Sequence, residues 1–213
     1  HISLNNLKKS IYGLTEINKK NLSKGKIIAC PGCYPTSILL PLFPLIKKNL
    51  IDFKNIVIDS KSGFSGAGRG VHKKFKNKNL YGSKSAYGIG SHRHNAEIQQ
   101  ELSYIKKNIE FTFTPHILPM FRGILSTIYL NYKSKANLNK IYNELRRFYM
   151  NHKFIKILKN KALSTNEVIN TNNCQISVCK SKDKKKLIIL SSLDNLIKGG
   201  AGQAVQNLNL IFN

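Results

Sequence analysis

Two hundred and thirteen residues, 41% of them hydrophobic, are enough to bury one core of ordinary size, which excludes a disordered chain. The longest apolar stretch, Ile38 to Ile46, is cut by Pro41 and Pro44 and falls short of the ~18 to 20 residues that span a bilayer, which excludes a membrane-spanning helix. A net charge of +25 ordinarily points to nucleic acid, but the 30 Lys are scattered over the whole length and accompany 24 Asn and 26 Ile, the joint excess that AT-rich coding produces without any binding role.

The chain begins at His1 with no signal-peptide pattern and reads as a cytoplasmic-type piece of something longer. Gly25 to Cys30 reads as a short strand ending at Pro31-Gly32. A largely apolar helix from Tyr34 to Leu50 follows, expected to kink near Pro41 and Pro44. Cys33 stands at its start, where unpaired backbone amides and the positive end of the helix dipole are expected to draw the thiol pKa toward neutrality. Cys30-Pro-Gly-Cys33 is open to three readings: a redox pair, half of a zinc site, or one nucleophilic thiol beside an incidental neighbour. The zinc reading is poor, since alternation in the Gln175 to Cys179 strand sends Cys174 and Cys179 to opposite faces.

Ile56-Val-Ile58 lies in a buried strand, and the loop Gly63-Phe-Ser-Gly-Ala-Gly-Arg-Gly70 follows it. Its glycine spacing does not match G-x-G-x-x-G, and the basic stretch Val71 to Asn79 that comes next is no apolar helix. Ser83 to Gly90 is turn-like, and Ser91-His-Arg-His-Asn-Ala-Glu-Ile98 leads into a helix to about Lys107. His92 and His94, two apart, point in different directions, giving one catalytic imidazole and one supporting group; Glu97 has the spacing to close a capping interaction. Strands from Ile109 to Pro115 and from Ile124 to Tyr132 flank a connection at His116 to Gly123. Leu138 to Met150 is an amphipathic helix, Gln175 to Cys179 and Lys186 to Ser192 form a hairpin, and a glycine-rich turn from Asp194 feeds a C-terminal helix. In a chain that writes Lys by default the five Arg are informative, and Arg69, Arg93 and Arg122 each stand in a Gly- or His-containing motif where a planar fork suits a carboxylate or phosphate.

Five of these segments, in order, resemble the N-acetyl-gamma-glutamyl-phosphate reductases, relatives of aspartate-semialdehyde dehydrogenase. They are Pro31-Gly-Cys-Tyr-Pro-Thr36, Ser62-Gly-Phe-Ser-Gly-Ala-Gly-Arg69, His92-Arg-His with Glu97-Ile98, Phe113-Thr-Pro-His-Ile-Leu-Pro-Met-Phe-Arg-Gly123, and Asp194-Asn-Leu-Ile-Lys with Gly202-Gln-Ala-Val-Gln206. The resemblance implies NADPH-dependent reduction of N-acetylglutamyl 5-phosphate to the semialdehyde, in arginine biosynthesis. It makes Cys33 the nucleophile, His92 and then His94 the acid/base, Arg93, Arg122 and Glu97 the substrate contacts, and Ser65, Gly66, Ala67, Gly68 and Asn195 the NADP side. It implies an α/β fold: residues 1–37 a remnant of a Rossmann-type NADP-binding domain whose glycine fingerprint precedes residue 1, residues 38–190 an α+β catalytic and dimerisation domain with a mixed sheet and helices on one face, and residues 191–213 a helix returning to the NADP-binding part. A homo-oligomer, dimer or tetramer, acting on a small-molecule substrate is expected, with no metal. One departure stands out: the family has Asn where this chain has Cys30, which leaves a Cys30–Cys33 redox pair open beside the reductase, as the basic composition leaves a nucleic-acid-binding module.

Overall fold

A computed structural model describes residues 4–67, 82–133 and 136–212. The basic stretch at 71–79, with Gly68 and Arg69 of the expected loop, lies outside them.

The elements in chain order are α1 (Leu4–Leu7), β1 (Ser10–Tyr12), α2 (Thr15–Asn18), β2 (Ile27–Ala29), α3 (Cys33–Lys47), β3 (Ile56–Gly63), β4 (Ser85–Ala86), α4 (His94–Ile105), β5 (Phe111–Leu118), β6 (Ile124–Asn131), α5 (Leu138–Tyr149), β7 (Ile155–Lys159), β8 (Cys174–Lys180), β9 (Lys186–Leu193) and α6 (Gly202–Phe212). Seven strands form one mixed sheet in the order β4-β5-β3-β6-β9-β8-β7, and β1 pairs with β2 in a separate parallel ribbon. Within the large sheet β3/β5 and β7/β8 are parallel and the other pairs antiparallel. The mixed sheet expected from the sequence is therefore present.

Alternation decides the two faces. Ile56, Ile58, Ser60 and Ser62 of β3, Ile124, Ser126, Ile128 and Leu130 of β6, and Leu187, Ile189 and Ser191 of β9 are buried toward α3, α4 and α5. On the opposite face Val57 and Tyr129, paired in register, are each 42% exposed, while Gln175, Ser177 and Ser192 of the same face are buried. Asp59 lies on that face too, beside Lys61 at 2.7 Å and the imidazole of His116 at 3.1 Å.

α3 contains Pro41 and Pro44 within one helix, which ends at Lys47, three residues before the expected Leu50. Pro44 has no N–H to give the Leu40 carbonyl four residues back, and the Tyr149 hydroxyl of α5 donates to that oxygen at 2.6 Å instead. Tyr149→Phe is expected to lower stability by about 1 to 2 kcal/mol, read from the denaturant midpoint at constant m. An unchanged midpoint would show that the freed carbonyl costs nothing.

The strand expected to stop at Pro115 continues to Leu118. In a strand the N–H and C=O of one residue point the same way, and the Pro115 carbonyl accepts the Tyr87 N–H on the β4 side. The missing donor therefore faces an edge strand only two residues long, where its loss is tolerated. Asn, abundant here, also has a structural use: Asn49, Asn55, Asn108, Asn160 and Asn170 all take positive φ, the left-handed conformation that its short amide tolerates.

Residues near both ends of the chain are tied together. Asn207 of α6 donates to the Gly13 carbonyl at 2.8 Å and accepts from the Thr15 hydroxyl at 2.7 Å. Next to them Lys198 and Glu16 form an ion pair at 2.6 Å with side chains 0% and 1% exposed.

Candidate active site

Cys33 is the first residue of α3, with Gly32 as the N-cap in extended conformation. The Gly32 N–H is held by Glu97 Oε1 at 2.8 Å, and the same oxygen accepts the Tyr12 hydroxyl at 2.8 Å. Glu97 thus reaches across to the turn that carries the thiol, where the sequence suggested a cap on its own helix. The Thr36 N–H and hydroxyl both donate to the Gly32 carbonyl, so the turn is fixed on either side of Cys33.

Two glycines set the walls. A Cβ added at Gly32 would fall on Nε2 of His94, so that imidazole lies directly against the turn. One added at Gly199 would stand 2.6 Å from the Cβ of Cys33 and 3.0 Å from its Cα. Neither atom is the loose end of a side chain, so the 199 backbone approaches this close only because it lacks a side chain. Gly199→Ala is expected to slow alkylation of Cys33 by iodoacetamide at least about tenfold and, because the helix start or the 199 loop must move to admit the methyl, to cost about 1 to 3 kcal/mol of stability, checked by peptide mapping and denaturant titration. An unchanged rate would mean the loop yields freely.

The two histidines lie together, ring centroids 4.8 Å apart, within a cluster formed with Tyr34, Tyr87 and Phe113. The backbone N–H of His94 donates to Nδ1 of His92 at 3.2 Å, which leaves a neutral His92 with its proton on Nε2. His94 is buried and its Nδ1 has no hydrogen-bond partner among the described residues. Burial, the neighbouring His92 and Arg93 press its pKa down to about 3; burial and Arg93 lower His92 as well. Both imidazoles are therefore neutral at pH 7.

The thiol does not follow the expectation from helix position. Burial pushes Cys33 up to about 11, outweighing the backbone amides of Tyr34 and Cys33 and the Arg93 charge, which all pull the other way. Desolvation of a thiolate wins over the helix start when the site is closed. In the resting site the thiol and both imidazoles are therefore neutral.

Arg93 is exposed at the N-cap of α4 and acts on Cys33 and both histidines through its charge. Arg122 is already engaged: Nη1 donates to Asn170 Oδ1 at 2.6 Å and to Asp194 Oδ2 at 3.2 Å. Asn195 donates to the Ser65 hydroxyl at 3.0 Å and accepts the Gly123 N–H at 2.7 Å. Ser65, Gly66 and Asn195 are thereby brought together; Ala67 ends the same short turn, and Gly68 is not described. Cys30 and Cys33 are free thiols, Cys30 exposed, and Cys174 and Cys179 lie far apart in environment, one buried and one partly exposed. Among the described residues no three His, Cys, Asp or Glu cluster as metal ligands.

Sequence reasoning missed Asp194, Lys198 and Glu16 as individual residues, although all three are buried charges in or beside the motif at 194–206. With only ten acidic residues in the chain, Glu16 and Asp194 stand out in composition much as the five Arg do.

The description "Semialdehyde dehydrogenase, dimerisation domain" matches residues 33–195. Among similar curated proteins, the N-acetyl-gamma-glutamyl-phosphate reductase of Clostridium botulinum (strain Eklund 17B / Type B) is 46% identical over 96% of this chain and 60% of its own length. That of Desulforamulus reducens is 43% identical over 97% and 60%. The chain thus spans about 60% of the length of these relatives. Aspartate semialdehyde dehydrogenase from Francisella tularensis has the same fold, with a TM-score of 0.76 at 15% identity over 99% of this chain and 73% of that one. Aspartate semialdehyde dehydrogenase II complexed with ASA from Vibrio cholerae aligns with a TM-score of 0.74 at 15% identity over 96% and 68%. The fold is thus shared well beyond recognisable sequence, and the chain belongs to the semialdehyde dehydrogenase family through its dimerisation domain.

Proposed function

We propose that the chain is the catalytic and dimerisation part of an N-acetyl-gamma-glutamyl-phosphate reductase, working with NADPH in arginine biosynthesis in the cytoplasm. The observation that carries this reading is the placement of Cys33: a thiol in the first turn of α3, its turn held by Glu97, walled by Gly199 on one side and by the His94 imidazole against Gly32 on the other. The relatives' shared name supplies the substrate, an acyl phosphate.

The residues divide the work as follows. The anionic substrate settles against Arg93 and Arg122, and its charge, placed beside imidazoles held neutral by burial, raises their affinity for a proton. His94, with Nε2 facing the Gly32 turn, takes the proton from the thiol as sulfur attacks the acyl carbon; the bond to the phosphate oxygen breaks and phosphate leaves, giving a thioester on Cys33. His92, with its proton on Nε2, donates a hydrogen bond to the developing oxyanion. Glu97 holds the thiol turn in place and is a positioning residue in this scheme.

The residues present suit the nicotinamide end of a dinucleotide. Asn195 spends one hydrogen of its amide on Ser65, and a Cβ at Gly66 would meet little beyond the Ser62 hydroxyl, leaving a shallow polar cradle. A dinucleotide held there would supply the hydride that reduces the thioester, with Cys33 as the sulfur leaving group as the semialdehyde is released. Residues 1–37 and 191–213 would belong to the nucleotide-binding part, a reading supported by the Asn207, Thr15 and Lys198–Glu16 contacts that join them. The exposed patch at Val57 and Tyr129 on the outer face of the sheet would be covered by a second copy.

Intact-mass analysis with peptide mapping after exposure to N-acetylglutamyl phosphate, without NADPH, tests the reading. An acyl adduct confined to Cys33 is expected. No adduct, with a Cys30–Cys33 disulfide in its place, would favour a redox protein.

A further inference from the structure

Asp194 directly follows β9 with 0% exposure, and both of its carboxylate oxygens are fully used. Oδ1 accepts the N–H groups of Leu196 at 2.8 Å and Ile197 at 3.1 Å; Oδ2 accepts the Asn170 N–H at 2.7 Å and Arg122 Nη1 at 3.2 Å. Its carbonyl accepts the Gly199 N–H at 2.9 Å, and Gly199 is the wall against Cys33. One buried residue therefore joins the 122–123 connection, the turn at Asn170, and the loop that touches the thiol.

A cap for the 196–197 turn needs only one acceptor oxygen, and a neutral Asn or Ser would supply it. A buried carboxylate is costly without a cation, so the second oxygen, aimed at Arg122, is the feature a cap does not explain. Asn170 adds to the same restraint, because its side-chain oxygen takes the same Nη1 at 2.6 Å while its backbone N–H meets Asp194. Holding one terminal nitrogen at two points fixes the plane of the guanidinium, and directs its remaining Nε and Nη2 edge to any bound anion.

We propose that Asp194, assisted by Asn170, is the positioning residue that orients Arg122 to receive the carboxylate or phosphate of the substrate. This rests on the reductase reading for the identity of the anion, but the restraint itself is independent of the reaction. Asp194 touches no reacting atom; it acts through Arg122.

The test uses the full-length protein that contains this chain, and N-acetyl-L-glutamate as a stable dianionic probe whose affinity is measured by calorimetry. Arg122→Ala, Asn170→Ala and Asp194→Asn are each expected to weaken binding, the last by about tenfold, while the double variant Arg122→Ala with Asp194→Asn binds no worse than Arg122→Ala alone. In turnover the same variants are expected to raise KM for the acyl phosphate more than they lower kcat. A purely structural role would give additive losses and leave Asn170→Ala unaffected, and either result overturns the proposal. Should Asp194→Asn fail to fold, Asn170→Ala alone and with Arg122→Ala decides the matter, since Asn170 keeps its backbone bond to Asp194. Absence of any binding by the unaltered protein also overturns it. If the unaltered protein binds the probe but reduces no acyl phosphate, the reductase reading fails while the binding series still judges Asp194.

Discussion

Cys33→Ser is expected to lower turnover of the acyl phosphate by at least about 10⁴-fold without lowering the melting temperature. Serine keeps the shape of the first turn of α3 and its hydroxyl is a far weaker nucleophile at neutral pH, so chemistry is removed and fold is kept. The pH dependence of the thiol gives a second readout that needs no substrate. Burial holds Cys33 at about 11, so below that value its thiolate becomes tenfold scarcer with each pH unit lost. Alkylation of Cys33 by iodoacetamide is therefore expected to rise about tenfold per unit from about pH 7 to pH 10 and to level off only above about pH 11. Peptide mapping separates it from the exposed Cys30. A plateau already reached near neutrality would mean that the helix start and Arg93 outweigh burial, the outcome expected from sequence position alone. Reactivity at pH 7 that appears only with the acyl phosphate would instead fit a site that stays neutral until an anion arrives.

That contrast marks the limit of what was legible before the structure. The strand, Pro31-Gly32 turn and α3 could be read because each has a local cause: β-branched residues, a residue that cannot continue a strand, and an apolar run. The alternation in β6, with Ile124, Ser126 and Ile128 buried and Tyr129 exposed, was equally local. The thiol environment was not, because it depends on His94 and Gly199, about sixty and a hundred and sixty-five residues away in the chain, closing over the helix start. β1 and β7 were missed because Ser10-Ile-Tyr12 is too short to show a period and Ile155-Lys-Ile-Leu-Lys159 is masked by the general abundance of Lys. Glu97 was visible as a residue but not in its use, since a carboxylate three after His94 suits a cap and nothing local says it reaches Gly32.

Lys198 shows the same limit in energetic form, and its replacement is expected to have the largest effect on stability. In a chain with 30 Lys nothing distinguishes this one, yet its side chain is 0% exposed and its ammonium donates to Glu16 Oε1 at 2.6 Å and Gln206 Oε1 at 2.8 Å. Gln206 Nε2 donates to the same carboxylate oxygen at 2.9 Å, so the three side chains close a polar clasp between α2 and the start of α6. Lys198→Met preserves volume but leaves the Glu16 carboxylate, 1% exposed, without its cation, and about 3 to 5 kcal/mol of stability is expected to go. The companion Lys198→Met with Glu16→Gln removes both charges and leaves amides that can bond one another, so it is expected to recover most of that loss. Denaturant titration of the single and double variants measures the difference. Equal loss in both would assign the effect to packing around the stem of Lys198, including the Phe154 ring 5.9 Å from its ammonium, and not to the charge pair. Because Lys198 immediately precedes Gly199, Lys198→Met is also expected to change the alkylation rate of Cys33 and the double variant to restore it, joining the clasp to the wall of the site.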